Sequence, residues 1–254
     1  MRTLMLRLLI VAVTVGVGQY ALKAETVQGS QGPISTMTVP QMEAAGDAAR
    51  ATKNFEEAIQ YYQAATRKDS RNPKLYNKLG IAQLRQGQLK AARFSFQRAI
   101  KLDSKYADAL NNLGAVYYMQ KNYGGALKQF KKAVALDETR AVFHVNLGAA
   151  WFAQKKLDHA IAEYARALEL NPDALLASSG GVTAQIASPE ERARYAFMLA
   201  KIYAQRGDAD ECLRHLRKAK EEGYRDLANI YKDPEFAKMR TDPRFAEIAS
   251  PPAN

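Results

Sequence analysis

The sequence is poor in the residue patterns on which most catalytic and metal sites depend. It contains one cysteine, Cys212, among 254 residues, so neither an intrachain disulfide nor a cysteine-based metal cluster can form. Its histidines, His144, His159 and His215, lack the spacing of metal ligands. The chain has no glycine-rich phosphate loop and no strand-turn nucleophile motif. We therefore predict no enzymatic activity, no cofactor and no metal ion, and expect Cys212 to be a small buried thiol.

Long apolar runs are also scarce, and the one at the amino terminus is short. Arg2 and Arg7 precede an uncharged run over 8–22, which ends shortly before Ala24. This order of basic, apolar and small residues is typical of a secretory signal, and the run is shorter than the roughly 20 residues that cross a bilayer comfortably. We expect a signal peptide over 1–24 and export to the periplasm or the medium. An uncleaved membrane anchor is the alternative.

The chain does contain a pattern that returns every 34 residues. Leu-Gly pairs begin at Leu79, Leu113 and Leu147, and each is followed at constant spacing by alanine, an aromatic residue, alanine and leucine. These following positions are Ala92, Phe96, Ala99 and Leu102; Ala126, Phe130, Ala133 and Leu136; and Ala160, Tyr164, Ala167 and Leu170. A period of this length is typical of a solenoid, in which each unit buries its apolar face against its neighbours.

Each unit is expected to hold two helices. Tyr76, Leu79 and Gln83 share one stripe of a first helix. A turn follows at Gly87, Lys121 and Lys155 in the three units. Ala92, Phe96 and Ala99 then recur at the spacing of a second helix, where the small residues let the helix axes approach and the aromatic ring fills the remaining space.

These residues resemble the tetratricopeptide repeat, a helix-turn-helix unit of 34 residues. With Leu-Gly at positions 7 and 8, the units are 73–106, 107–140 and 141–174, and a weaker first unit at 39–72 completes a block over 39–174. The resemblance implies an all-α, right-handed α-solenoid whose first helices line a concave groove. Gln83 and His144 depart from the family, which usually has large apolar or aromatic residues there.

The remaining segments break the period. The polar stretch 25–38 is expected to be a disordered leader. A further, degenerate unit at 193–226 has Cys212 at the alanine position and follows an insertion at 175–192, which is a surface loop or, alternatively, a lid over the groove. Within it, Ser188-Pro189-Glu190-Glu191 indicates a capping box that starts a helix. The tail 227–254 is expected to cover the exposed last face with its apolar residues, Ile230, Phe236, Met239, Phe245 and Ile248.

Positive charge is concentrated in one unit. Unit 73–106 carries a net charge of +7, whereas unit 141–174 carries −1. Four of these cations lie on its second helix: Lys90, Arg93, Arg98 and Lys101. They form either the solvated outer face that such a helix needs or a patch for an anionic lipid, an envelope polymer or an acidic protein. Nucleic acid is not expected, because the chain is predicted to be exported and these cations are not interleaved with aromatics.

The predicted function is a non-enzymatic scaffold of the cell envelope that binds a protein or peptide segment in the concave groove. The alternative is an assembly factor that associates with an anionic membrane or polymer through the basic unit. The residues expected to bind the partner, by apolar anchoring with amide support, are Asn77, Ile81, Leu84, Asn111, Asn112, Tyr118, Asn146 and Phe152. Alternatively, the aromatics among them pack against neighbouring first helices.

Overall fold

The computed structural model describes residues 34–177 and 188–249. The predicted signal peptide 1–24, most of the leader and the 178–187 part of the insertion lie outside these residues. Paired helices dominate the described chain. The pairs are α1 Val39–Ala51 with α2 Phe55–Lys68, α3 Pro73–Arg85 with α4 Leu89–Leu102, α5 Ala107–Met119 with α6 Tyr123–Leu136, α7 Ala141–Ala153 with α8 Leu157–Leu170, and α10 Pro189–Arg206 with α11 Ala209–Glu221.

Shorter elements join and follow the pairs. They are the helices α9 Ala174–Ala177 and α12 Pro243–Ala249 and the 3-10 helices Ile34–Thr36, Arg225–Asn229 and Pro234–Met239. The described residues contain no strand, so the prediction of an all-α fold built from tandem helix pairs is confirmed. None of the described helices is both long enough and apolar enough to cross a bilayer.

The turns inside the pairs share one backbone geometry. A residue with positive φ stands at the same repeat position in every pair, namely Lys53 at 63°, Gly87 at 78°, Lys121 at 59°, Lys155 at 61° and Gly207 at 79°. The next amide then bonds back to the end of the first helix, as Asn122 N does to Tyr117 O at 2.9 Å. This is the Schellman ending of a helix. A left-handed lysine costs roughly 1 kcal/mol, so helix packing must hold the turn in this geometry.

Within each pair, the glycine of the first helix lies against the aromatic ring of the second. A Cβ added to Gly114 would lie 2.6 Å from a ring carbon of Phe130, and one on Gly80 would lie 2.5 Å from Phe96. At Gly148 the distance to Tyr164 is 3.3 Å. Glycine therefore sets how closely the two helices approach.

The two residues that depart from the family pattern are both buried with polar partners. Ser95 Oγ donates to Gln83 Oε1 at 2.7 Å. His144 Nδ1 lies 2.7 Å from Glu163 Oε2, and its Nε2 lies 3.0 Å from the carbonyl oxygen of Glu138. Each departure on a first helix is matched by a polar residue on the second helix of the same pair, so the polar groups are not buried without partners.

The structure differs from the predicted disordered leader 25–38 over its last residues. Ile34–Thr36 forms a 3-10 helix, and Met37 is buried in a cluster with Met42 and Leu75. Lys68 Nζ donates to the carbonyl oxygens of Ser35 and Met37 at 2.9 and 2.7 Å. Apolar burial and this lysine therefore order residues that composition alone marked as polar leader.

The insertion brings in two helices. α9 follows α8 and packs against α7 and α8. The capping box is confirmed: Glu191 N donates to Ser188 Oγ at 3.1 Å and Ser188 N to Glu191 Oε2 at 3.4 Å. α10 consequently begins at Pro189, before the predicted start of the last unit.

The tail covers the last helix pair, as predicted. Its apolar residues are buried in one cluster with Phe197 of α10 and Cys212 and Leu216 of α11: Ile230, Phe236, Met239, Phe245 and Ile248. Burial also raises the pKa of Cys212 to about 12. The thiol therefore stays protonated and acts as a small core residue, as expected.

The glycine contact generates a first prediction. Gly114→Ala should lower the free energy of unfolding by about 1–3 kcal/mol, because the new methyl group overlaps the Phe130 ring. Gly148→Ala is the matched control, since its methyl group would meet Tyr164 at 3.3 Å. Urea unfolding of both variants measures the difference. Equal midpoints for the two would mean that the close contact does not limit helix approach.

Candidate functional site

The eight residues predicted to bind a partner all lie on first helices. Asn77, Ile81 and Leu84 are on α3, Asn111, Asn112 and Tyr118 are on α5, and Asn146 and Phe152 are on α7. We call this set the groove face. Its members do not share one environment: Asn77, Asn111, Asn146 and Tyr118 are buried, whereas Ile81, Leu84, Asn112 and Phe152 are half-buried.

The asparagines of the groove face bond to one another across the repeats. Asn112 Nδ2 donates to Asn77 Oδ1 at 3.0 Å, and Asn146 Nδ2 donates to Asn111 Oδ1 at 2.9 Å. Asn77 Nδ2 also donates to the hydroxyl of Tyr106 at 3.2 Å. We call this arrangement the amide ladder. It joins α3 to α5 and α5 to α7, and it uses amide groups that were expected to serve a bound peptide.

Two acceptor atoms of the amide ladder remain available for hydrogen bonds with groups outside the protein. For the Oδ1 atoms of Asn112 and Asn146, the described part of the chain supplies no hydrogen-bond donor. Neither atom is among the buried polar atoms left without a partner, so both can accept from solvent or from a ligand. The ladder thus fixes the side-chain orientation of two acceptors.

Tyr118 is enclosed rather than open, contrary to the expected groove position. Only 5% of its surface is exposed, and its ring meets that of Tyr123 edge to face at 5.2 Å. Burial raises the pKa of Tyr118 to about 12, with smaller contributions from Tyr123 and Glu191. The start of α6 and the first turn of α10 therefore lie close to this ring.

Phe152 is partly covered from the same side. Its ring meets Tyr195 of α10 edge to face at 5.5 Å, and Tyr195 in turn meets Tyr164 at 5.8 Å. A cavity of about 60 Å³ remains between these elements, lined by Tyr118, Tyr123, Phe152, Ala153, Lys155, Leu157, Glu191 and Arg194. The first two turns of α10 therefore cover the groove face at the carboxyl end of α7.

Ile81 and Leu84 keep more open edges. Both pack against a core cluster that includes Leu113 and Val116 of the next first helix. They remain half-buried, so each offers part of its side chain to the outside. The predicted apolar anchors in the first three helix pairs are Ile81, Leu84 and Tyr118. Ile81 and Leu84 are more exposed than Tyr118, which is buried.

Two apolar residues of this surface were missed in the sequence. Met119 on α5 is 36% exposed and Val142 on α7 is 44% exposed. Met119 lies seven residues after Asn112, and Val142 lies four residues before Asn146, so helical spacing puts each on the stripe of its asparagine. This spacing from Asn112 and Asn146 is the sequence feature that could have identified Met119 and Val142.

Charges near the amino-terminal part of the groove face neutralise one another. Lys78 Nζ lies 2.6 Å from Glu43 and 2.5 Å from Asp47 on α1, and the Tyr62 hydroxyl donates to Asp47 at 2.6 Å. Burial alone would raise the pKa of Asp47, but the hydrogen bonds from Lys78 and Tyr62 hold it below its usual value. Arg50 also lies 3.6 Å from Asp47, so a ligand at α3 meets a cluster of two cations and two carboxylates.

A larger cavity, of about 230 Å³, lies between α8, α10 and the tail. Phe197, Met198 and Tyr224 line its apolar side, and Lys201 and Asp233 line its polar side, where they pair at 2.7 Å. The charges of Lys201 and Asp233 thus satisfy each other. We assign it no role in partner binding.

The histidines do not converge on one place. His144 pairs with Glu163, His159 lies against Trp151 with ring centroids 4.6 Å apart, and His215 stacks on Tyr203 at 5.3 Å. Burial and nearby Arg214 lower the pKa of His215 to about 4. Across the described ranges, no group of three or more potential ligands could hold a metal ion.

Models of one family match the sequence over the helix pairs. A model described as TPR repeat matches 46–87 and 84–121, and two described as Tetratricopeptide repeat match 107–140 and 141–174. Together they span 46–174, just over half of the 254 residues. No functionally curated protein matches the sequence significantly.

Solved structures with the same fold have low sequence identity to this chain. MamA from Desulfovibrio magneticus RS-1 is 21% identical, and the match covers 72% of this chain and 94% of that one with a TM-score of 0.52. TTC0263 from Thermus thermophilus is 20% identical, with coverages of 83% and 98% and a TM-score of 0.51. YrrB, described as a TPR protein with an unusual peptide-binding site, is 18% identical, with coverages of 77% and 91% and a TM-score of 0.50.

The amide ladder generates a second prediction. Asn111→Ala should lower the free energy of unfolding by about 1–3 kcal/mol, because the buried Nδ2 of Asn146 loses its acceptor. In the double variant with Asn146→Ala, the added cost of the second change should be about 1 kcal/mol smaller than in the wild-type background. Urea unfolding of the four proteins measures this coupling, and Asn229→Ala, at an exposed site, is the control. Strictly additive effects would contradict the ladder.

Proposed function

Because the chain belongs to the tetratricopeptide repeat family, whose members act as protein-protein interaction scaffolds, we propose that it binds an extended protein segment along the groove face. Binding is the whole of its activity in this proposal, since the family is typically non-enzymatic. YrrB, which shares the fold, is itself described as having a peptide-binding site.

The observation that carries the proposal is the pair of exposed apolar residues on the first helices. Met119 and Val142 are 36% and 44% exposed, and they lie on the stripes that also hold the outward acceptors of Asn112 and Asn146. Several apolar side chains of the partner can bury these edges together with the open sides of Ile81 and Leu84. The groove face thus offers apolar anchors beside fixed amide acceptors, which is the combination that an extended segment needs.

The amide acceptors give the proposed complex its backbone contacts. In an extended segment, the backbone N–H groups need acceptors when water is displaced. The Oδ1 atoms of Asn112 and Asn146 stand on successive first helices and are already oriented by their own hydrogen bonds. Because no rotamer has to be fixed on binding, the entropic cost of these contacts is low.

The partner is expected to occupy the earlier helix pairs rather than the whole array. Tyr195 covers Phe152, and Glu191 lies near Tyr118 at the first turn of α10. A segment that runs along α3, α5 and the start of α7, where Val142 and Asn146 lie, therefore reaches Glu191 and Arg194 at its far end. Tyr118 and Phe152 then form the floor beneath the partner, and Met119 and Val142 make the direct contacts.

A third prediction tests the site. Peptides are selected from a phage-displayed random library against the wild-type protein, and their binding to variants is measured by calorimetry. Met119→Ser and Val142→Ser should each weaken binding by about 1 kcal/mol or more, near five- to tenfold in Kd. Both variants should keep the wild-type melting temperature, because the side chains are exposed.

Leu136→Ser is the matched control, since Leu136 is 42% exposed but lies at the end of a second helix, α6. It should bind the selected peptides as the wild type does. Peptides that bind the Met119 and Val142 variants at full affinity would place the site elsewhere. Weakening by Leu136→Ser alone would point to the second helices.

We further propose that the scaffold works outside the cytoplasm, in the cell envelope. The basic, apolar and small-residue order over 1–24 supports this location. The fourth prediction is that protein recovered from the envelope of an expressing bacterium begins at Glu25. Intact-mass measurement decides it, and a recovered chain that keeps 1–24 would favour the uncleaved anchor instead.

A further inference from the structure

The outer side of α4 combines cations with an exposed aromatic ring. Lys90, Arg93, Phe94 and Lys101 are all exposed, and helical spacing places them on one side of the helix. We call these four residues the α4 outer face. Phe94 is 70% exposed, more than any other large hydrophobic residue in the described chain. The cations of this unit are therefore accompanied by an exposed aromatic residue, although the sequence was interpreted as having no aromatics interleaved with them.

Charge on the second helices is uneven in space as well as in sequence. α4 carries four cations and no carboxylate, and the next second helix, α6, carries Lys128, Lys131 and Lys132 and no carboxylate. The flanking second helices differ: α2 has as many acidic as basic residues, and α8 has more acidic than basic ones. Among the second helices α2, α4, α6 and α8, a net positive charge is thus found only on the adjacent helices α4 and α6.

The cations of the α4 outer face are not used inside the protein. Arg98, at the edge of α4, lies over the ring of Tyr76 at 5.7 Å. For Lys90, Arg93 and Lys101, by contrast, the part of the chain that the structure describes provides no ion-pair partner. Their charge is available to an external anion.

A solvated outer face explains the cations but not Phe94. At the same repeat position α2 has Gln60, α6 has Lys128 and α8 has Ala162, so α4 alone among these four helices has a large apolar side chain there. A ring left largely in water gives up free energy that burial would provide, about 1.5–3 kcal/mol for a full side chain. The α4 outer face therefore has the composition of an amphipathic interfacial surface.

We propose that the α4 outer face docks the protein on an anionic lipid bilayer. Phe94 enters the boundary between headgroups and acyl chains, and the surrounding lysines and arginine contact lipid phosphates. Charge complementarity selects an anionic surface. A lipid surface fits better than a protein partner, because lysine is depleted from protein interface cores and a lone aromatic would need a matching pocket there. A bilayer accepts a single ring without one.

Docking by α4 leaves the groove face free. The groove face lies on the first helices, and the α4 outer face points away from α3, its first helix, since Phe96 and Ala99 of α4 are buried in the pair. The bilayer and a protein partner would therefore occupy different sides of the array. The proposal stands independently of what the groove face binds.

The test is sedimentation of the full chain with vesicles of phosphatidylcholine alone and of phosphatidylcholine mixed with phosphatidylglycerol. The wild type should bind the anionic vesicles more tightly. Phe94→Ser should weaken that binding about tenfold, and Lys90→Gln with Lys101→Gln should weaken it about ten- to thirtyfold. The control, Arg217→Gln with Lys218→Gln, removes the same charge from exposed positions of α11 and should have a much smaller effect.

Any binding by the apolar segment 8–22 is common to the wild type and all variants, so it cancels in the comparison between them.

Several outcomes would overturn the proposal. Equal binding by the wild type and the Phe94 and Lys90/Lys101 variants, or equal losses in the α11 control, would show that α4 does not dock. Lysine-dependent binding to polyglutamate that exceeds binding to the anionic vesicles and ignores Phe94→Ser would assign the face to an acidic protein. Circular dichroism melts show that each variant is folded.

Discussion

The close contact between a glycine and an aromatic ring is the constraint on which this array depends. An aromatic ring of the second helix fills the space beside Gly46, Gly80 and Gly114. Each ring lies so close to its glycine that an added Cβ would overlap it. The contact sets the separation of the two helices in a pair, and that separation lets the turn close through a left-handed residue even where it is lysine. The stacking of successive pairs, and with it the spacing of the first helices, follows from units of constant geometry.

The helix pairs could be predicted from the sequence because every unit carries the signal by itself. The glycine, the aromatic ring and the small residues recur at fixed spacing, so each helix is marked several times over. The position of α10 could not be predicted in this way, since the period is interrupted between Leu147 and Leu199. Its first two turns lie over Tyr118 and Phe152, and only a structure reveals which side of the array they approach.

The environment of the asparagines could not be predicted from the sequence, for a different reason. A repeated polar residue on a first helix is compatible with solvent, with a ligand or with the next repeat. The amide ladder joins residues 35 positions apart, one more than the period, because the donor and the acceptor occupy neighbouring positions in their units. Exposure of Met119 and Val142 is similarly decided by what the adjacent pair leaves uncovered, which periodicity does not encode.

Covering the last face by the tail also limits how copies of the chain can associate. Stacked repeats use the same kind of apolar surface at every junction, so an uncovered end would match the beginning of another copy and could extend head to tail without closing. Here Phe236 and Phe245 already fill the surface that such a neighbour would need. Head-to-tail stacking at this end of the described chain would therefore require the tail to leave the last helix pair.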